Sequence, residues 1–230
     1  NEIESGKPWR KPKTKRHVLR RIAQKQRHLA NLAALENESL ASRLAYEARV
    51  RMKRYRKRRH KTLDLCELEL SKLPGEIFGP RLSKTLTCLD MGLNRLRSIP
   101  VKIKLLQGNL RRLILESNML TSLPTALLYC RRLNELDVRN NRISSLPREK
   151  GNIEVLRDLD AWEIGIETLQ ELEVLRLDSN TIEQLEPEIE KLKLLQHLSV
   201  RGNRLITLPE EGLRGLVSLV HLDLSHNRLE

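Results

Sequence analysis

The chain has 230 residues and a formal net charge of +13, and the excess of cations sits in residues 1–61, where 20 Lys and Arg face five acids, while the remainder is close to neutral at −2. With one phenylalanine (Phe78), three tyrosines and two tryptophans, a core of this size must be filled by aliphatic side chains that repeat in register, so a stacked architecture is expected. No apolar run approaches the roughly 18 residues of a membrane-spanning helix, and such one-sided basicity suggests an arm for nucleic acid or another polyanionic surface.

In chain order, residues 1–15 contain Gly6, Pro8 and Pro12 and predict a basic, extended tail. Residues 16–60 lack Gly and Pro and are rich in helix formers, which predicts a basic α-helical arm, about 65 Å long if unbroken. Asn37 to Ser39 offer an internal cap that would split it. Two cationic ends flank an Ala- and Leu-rich middle at 29–48. The first end holds Arg16, Arg20, Arg21, Lys25 and Arg27. The second holds Arg49, Arg51, Lys53, Arg54, Arg56, Lys57, Arg58 and Arg59. Leu29, Leu32, Ala33, Leu40, Leu44 and Ala48 fall near helical spacing, so the middle is expected to pack on the body of the protein or on a partner helix.

Eight cations in positions 49–59 repel one another round the helix, and an anionic surface would neutralise them. RNA fits through its phosphates, because Lys and Arg contacts give affinity by counterion release without reading sequence. Trp9, Tyr46 and Tyr55 are too scattered to form a base-stacking platform. An acidic tubulin surface is the alternative for the same arm.

Residues 61–230 carry one recurring pattern, LxxLxLxxNxLxxLPxxI. Its clearest copy is Leu110, Leu113, Leu115, Asn118, Leu120, Leu123, Pro124 and Leu127. Others are centred on Asn94, Asn141, Asn180, Asn203 and Asn227, with spacings of 24, 23, 39, 23 and 24 when Asn118 is counted in order. Leu–x–Leu predicts a short strand with both leucines inward. The asparagine after it predicts a buried ladder of amides pairing with the turns of neighbouring repeats, and an amide left unpaired there would cost about 1–3 kcal/mol. The first copy has Leu68 in the Asn slot, as suits a terminal unit. The 39-residue spacing predicts an insertion or degenerate repeat at 150–171, read as a helical insertion on the convex side. The last copy breaks off at Glu230 without a polar cap, as expected of a fragment or of an edge covered by a partner.

These residues resemble the leucine-rich-repeat family, and within it the intracellular class with the LPxxI return seen in Ras-pathway scaffolds. The resemblance covers 63–230 and implies an α/β architecture: a right-handed solenoid with a parallel sheet on its concave face, here preceded by the long basic helical arm. It implies binding of proteins without naming the ligand.

The positions expected to face outward on the concave sheet are Arg112, Glu116, Glu135, Asp137, Arg139, Arg176, Asp178, His197, Arg201, His221 and Asp223. Both signs are interspersed, which suits a protein partner better than nucleic acid. His197 and His221 occupy equivalent positions of consecutive repeats and are expected to be neighbours. The phosphate-loop, dinucleotide, zincin and nucleophile-elbow motifs are missing, so no enzyme activity, cofactor or metal is expected. Three widely spaced cysteines (Cys66, Cys88, Cys130) suit a reducing, intracellular compartment. The function expected is that of a structural component of a large ribonucleoprotein, such as an organellar ribosome, with the arm on RNA and the solenoid docking proteins. A microtubule- or cilium-associated scaffold and a small-GTPase signalling scaffold are the alternatives.

Overall fold

The computed structural model describes residues 40–58, 62–150, 163–209 and 213–230. Seven three-residue strands form one parallel sheet: β1 (Thr62–Asp64), β2 (Cys88–Asp90), β3 (Arg112–Ile114), β4 (Glu135–Asp137), β7 (Val174–Arg176), β8 (His197–Ser199) and β9 (His221–Asp223). Pairing follows chain order, with the central leucines in register from Leu63 and Leu89 through to Leu198 and Leu222. Each strand sends a leucine inward and a second aliphatic residue follows two positions on. Leu113 and Leu115, Leu136 and Val138, and Leu175 and Leu177 are all fully buried.

The return to the next strand begins at a proline in most repeats. Pro74, Pro100 and Pro124 precede short 3-10 turns at Gly75–Phe78, Val101–Leu106 and Thr125–Tyr129. The ring fixes φ at a helix-compatible value, and its missing N–H falls where a helical turn has no acceptor to offer. The apolar residue three positions on (Ile77, Ile103, Leu127) is buried at 0% exposure and closes the core from the back.

The asparagine ladder is complete. In each repeat the amide Nδ2 donates to the carbonyls two and three residues earlier and to the strand-end carbonyl of the preceding repeat. For Asn118 these are Glu116, Leu115 and Met91, at 3.0–3.1 Å. Its Oδ1 accepts the N–H of Leu96 from the preceding repeat at 2.9 Å. Asn94, Asn141, Asn180, Asn203 and Asn227 repeat the arrangement. The residue before the asparagine adopts a left-handed φ in every repeat: Leu93, Ser117, Asn140, Ser179, Gly202 and His226, with Glu67 before Leu68.

The 39-residue spacing does not disturb the ladder or the sheet. β4 pairs directly with β7, and Ile143 N–H donates to Asn180 Oδ1 at 2.9 Å. The surplus falls between Pro147 and Ile166, and Ile166, Leu169 and Leu172 then supply the buried positions of a normal return. A helix was expected at 150–171. Its described part is instead an antiparallel ribbon, β5 (Glu149–Lys150) with β6 (Glu163–Ile164), followed by a 3-10 turn at Ile166–Thr168. The physical reason is that the two ends of the insertion lie side by side, which two paired antiparallel strands satisfy directly. Residues 151–162 lie outside the described residues.

At the N-terminal side, α1 (Leu40–Arg58) is the longest described helix. The compact solenoid unit begins at Leu44, not at residue 61 as the sequence suggested. Ala48, Met52 and Tyr55 are 2%, 3% and 5% exposed and join the core of the first repeats, with Leu44 packed beside them. This stripe covers the edge that would otherwise leave Leu63 of β1 and the following Leu65 open to water. The second short helix, α2 (Pro80–Ser83), follows the first return.

Candidate functional site

The open face of the sheet is built from the residues that alternate with the inward leucines. Two interlocked charge groups fill its centre. Glu135 accepts from Arg112 of the preceding strand and from Arg176 of the following one, the latter at 2.6 Å. Burial works against the Glu135 carboxylate, but these two guanidinium groups outweigh it and hold its pKa below the ordinary carboxylate range. Arg139 grips Asp137 through Nε and Nη2 at 2.8–3.1 Å and reaches Glu116 at 2.8 Å. Asp137 is only 3% exposed, so Arg139 is what makes its burial tolerable.

Toward β9 the face becomes looser. Asp178 accepts from the Ser199 hydroxyl, and Arg201 donates to the His226 ring nitrogen at 3.1 Å. His197 and His221 come together as expected, with ring centroids 5.8 Å apart. Arg139, Arg176, Asp178, His197, Arg201 and His221 line an open basin of about 610 Å³, with Asn140 and Ser199. Asp223 sits at its margin, held by the Ser225 hydroxyl and N–H, which lower its pKa. Of the residues expected on this face, Arg112, Glu135 and Arg176 are tied together, as are Glu116, Asp137 and Arg139.

The cationic arm is sorted differently from the expectation. Arg16, Arg20, Arg21, Lys25, Arg27 and Arg59 lie outside the described residues, and Arg56, Lys57 and Arg58 are described for backbone only. Arg49, Lys53 and Arg54 are exposed on α1. Arg51, read from the sequence as a polyanion contact, is turned inward. It pairs with Glu47 at 3.2 Å and Asp64 at 3.1 Å, and donates to the Cys66 carbonyl at 3.0 Å. Burial opposes the Arg51 charge, yet Glu47 and Asp64 outweigh that and its pKa stands above the usual value. The reason is positional: Arg51 is next to Met52 on the side of α1 that faces β1. Tyr55 is fixed on the same side, its hydroxyl donating to the Thr85 carbonyl at 2.9 Å. Met52 and Tyr55 are capping residues that sequence reasoning did not assign to the core, though their spacing from Ala48, four and seven, was visible.

Asp64, Cys66 and Asp90 also bring one oxygen or sulfur each within 4.8 Å of one another. Arg51 already supplies the positive charge there. Burial, followed by Asp64, pushes the Cys66 thiol up to about 11. Burial likewise pushes Cys130 up to about 12.

A family model described as leucine rich repeat matches residues 170–229, the stretch that holds β7, β8 and β9. The chain belongs to the leucine-rich-repeat family. The leucine-rich-repeat serine/threonine-protein kinase 1 of Mus musculus is 31% identical over 158 residues, 65% of this chain. The adenylate cyclase of Schizosaccharomyces pombe is 34% identical over 60% of it. Mouse nephrocan is 28% identical over 71%. The chain spans 7% of the length of the kinase and of the cyclase, and 29% of nephrocan. Among solved structures, a leucine-rich-repeat protein of Leptospira interrogans superposes with a TM-score of 0.50, covering 77% of this chain and 58% of its own at 22% identity. An internalin of Listeria monocytogenes gives 0.51 over 69% of this chain and 40% of its own at 20% identity. These two likenesses concern the fold. In leucine-rich-repeat terms, the open sheet face is the concave face, and α1 is the cap of the first repeat. No helix among the described residues is long and apolar enough to cross a membrane.

Proposed function

We propose that this leucine-rich-repeat protein is a non-catalytic scaffold of the LPxxI class that holds a protein on its concave face and RNA phosphates on its basic N-terminal region, as a structural part of a large ribonucleoprotein. The observation that carries the reading is the separation of charge from shape. The concave face holds acids and bases already matched to one another, as in Arg112–Glu135–Arg176 and Glu116–Arg139–Asp137. A surface of that kind selects a protein whose charges interleave with its own, and offers a polyanion no run of unmatched cations. The unmatched positive charge lies instead in residues 1–61. Among the described side chains of α1, Arg51 is engaged by the fold, while Arg49, Lys53 and Arg54 stay exposed.

The test sets two polyanions against each other. The full chain is mixed with a single-stranded RNA of mixed sequence in a mobility-shift assay and, separately, pelleted with microtubules at the same salt. The reading expects an RNA shift that excess tubulin does not reverse. Co-pelleting with microtubules and no RNA shift would move the arm to an acidic protein surface.

A further inference from the structure

We propose that the RNA path does not end on α1 but continues across the strand-start edge of the first three repeats, over Arg54, Lys84, Arg131 and Arg132, and stops at Arg111 and Glu171. The proposal rests on the RNA reading above and extends it to the solenoid.

In a stack of repeats, equivalent positions lie one above another at the strand spacing of roughly 4.8 Å. Lys84, Gly108 and Arg131 each stand two residues before an inward leucine (Leu86, Leu110, Leu133), and Thr85, Asn109 and Arg132 stand one residue before it. Lys84 and Arg131 are thus two steps of one row, and Arg132 belongs to the row beside it. Hydrogen bonds tie the steps together. Tyr55 Oη of the helix donates to Thr85 at 2.9 Å, and Arg132 Nη1 donates to the Gly108 carbonyl at 3.2 Å. One position further on, Arg111 N–H donates to Thr87 and Asn134 N–H to Arg111, each at 2.8 Å. Helix and edge are therefore one continuous surface.

The charges on it are available. Arg54, Lys84, Arg131 and Arg132 are exposed, and among the described residues the ion pairs are made by other cations. Between Lys84 and Arg131, Gly108 has open space where a side chain would stand, so nothing blocks a chain laid along the row.

The track also has a boundary. After the insertion, the equivalents of Arg131 and Arg132 are Gln170 and Glu171, and Glu171 pairs with Arg111. Further on, the return Pro187–Lys191 carries Glu188 and Glu190 beside Lys191, whereas Val101–Leu106 carries Lys102 and Lys104. A phosphate backbone following the positive edge would meet carboxylates there and turn away.

RNA is favoured over an acidic peptide because the track offers spaced point charges and two neighbouring guanidinium forks. Phosphate oxygens suit both, and no base or side-chain pocket is required.

The test measures RNA affinity of the full chain, by mobility shift with a mixed-sequence single strand, across a salt series. Wild type is compared with Lys84→Gln/Arg131→Gln/Arg132→Gln and with Lys191→Gln/Arg204→Gln/Arg214→Gln, which removes equal charge beyond the insertion. All six positions are exposed, and circular dichroism checks that each variant keeps its fold. Three lost single-strand contacts should reduce the slope of log K against log salt by about 2, with affinity down roughly tenfold or more at 0.15 M. The control triple should keep the wild-type slope. RNA binding with an unchanged slope in the edge triple would confine the path to the arm and overturn this inference alone. Equal losses in both triples would reduce it to net charge and overturn it too. No RNA binding by wild type would remove both the inference and the reading beneath it.

Discussion

Each ladder asparagine uses both functions of its amide. The carbonyl takes a buried N–H from the preceding repeat and the NH₂ serves three carbonyls, so neither aspartate nor alanine replaces it. Asn118→Ala strands the Leu96 N–H and weakens the Met91 and Leu115 carbonyls, at a cost of about 3 kcal/mol in urea unfolding, and a loss under about 1 kcal/mol would mean that water fills the gap. The sequence showed these positions by their spacing alone. It did not show the left-handed residue in front of each, because Leu93, Ser117 and His226 have nothing chemical in common. Leu93 is the poorest fit, with φ at 51° and its side chain 49% exposed. Leu93→Asn should stabilise the protein by about 0.5–1 kcal/mol, seen as a higher Tm. Asp90 carries a pH signature. Burial, and then the nearby Asp64 and Asp137 carboxylates, raise its pKa above the ordinary value, and Asp64 lies directly opposite it in the sheet. A raised carboxylate pKa means that the folded state prefers the protonated form, so ionisation at neutral pH costs stability. Asp90→Asn keeps an oxygen for the Gly92 N–H and should be more stable than wild type at pH 7, with the gain shrinking as pH falls through the carboxylate range. A gain that grew on acidification would refute that account.

At the level of elements, strands and returns were legible because one period of 23–24 residues fixes both. The capping helix was legible only in part. Ala48 was recognisable in an Ala-rich stretch, but Met52 and Tyr55 are interleaved with Arg49, Arg51, Lys53 and Arg54. Charge density there hid an apolar face only one residue wide per turn. Met52→Ala opens a cavity between α1 and β1 and should cost about 2–3 kcal/mol. Amide exchange should then rise first at Thr62–Asp64, and protection lost uniformly along the solenoid would show that α1 is no local cap. The insertion was legible as a length, 16 residues beyond the neighbouring spacing of 23, but not as a ribbon, since Glu149–Lys150 and Glu163–Ile164 are too short to show alternation.

For the whole molecule, stacking divides the work. The leucines and asparagines of the repeats are consumed by shape and leave the alternate positions free to vary. Those positions became a matched concave face in the centre and exposed cations along the strand-start edge before the insertion, ending where Glu171 pairs with Arg111. Fold could be read from sequence because it depends on residues that recur. The concave face could be placed but its ion pairs could not, because Glu135 finds Arg112 and Arg176 only when strands 23 and 39 residues apart in sequence are laid side by side. The claim on which the functional account depends is that the surplus positive charge of the N-terminal region exists to hold phosphates. It is tested most directly by the salt dependence of RNA binding to the full chain. The account predicts a line in log K against log salt that falls with a slope of about −4 or steeper, as expected for six or more single-strand phosphate contacts, and a slope near zero, or no binding at 50 mM salt, would contradict it.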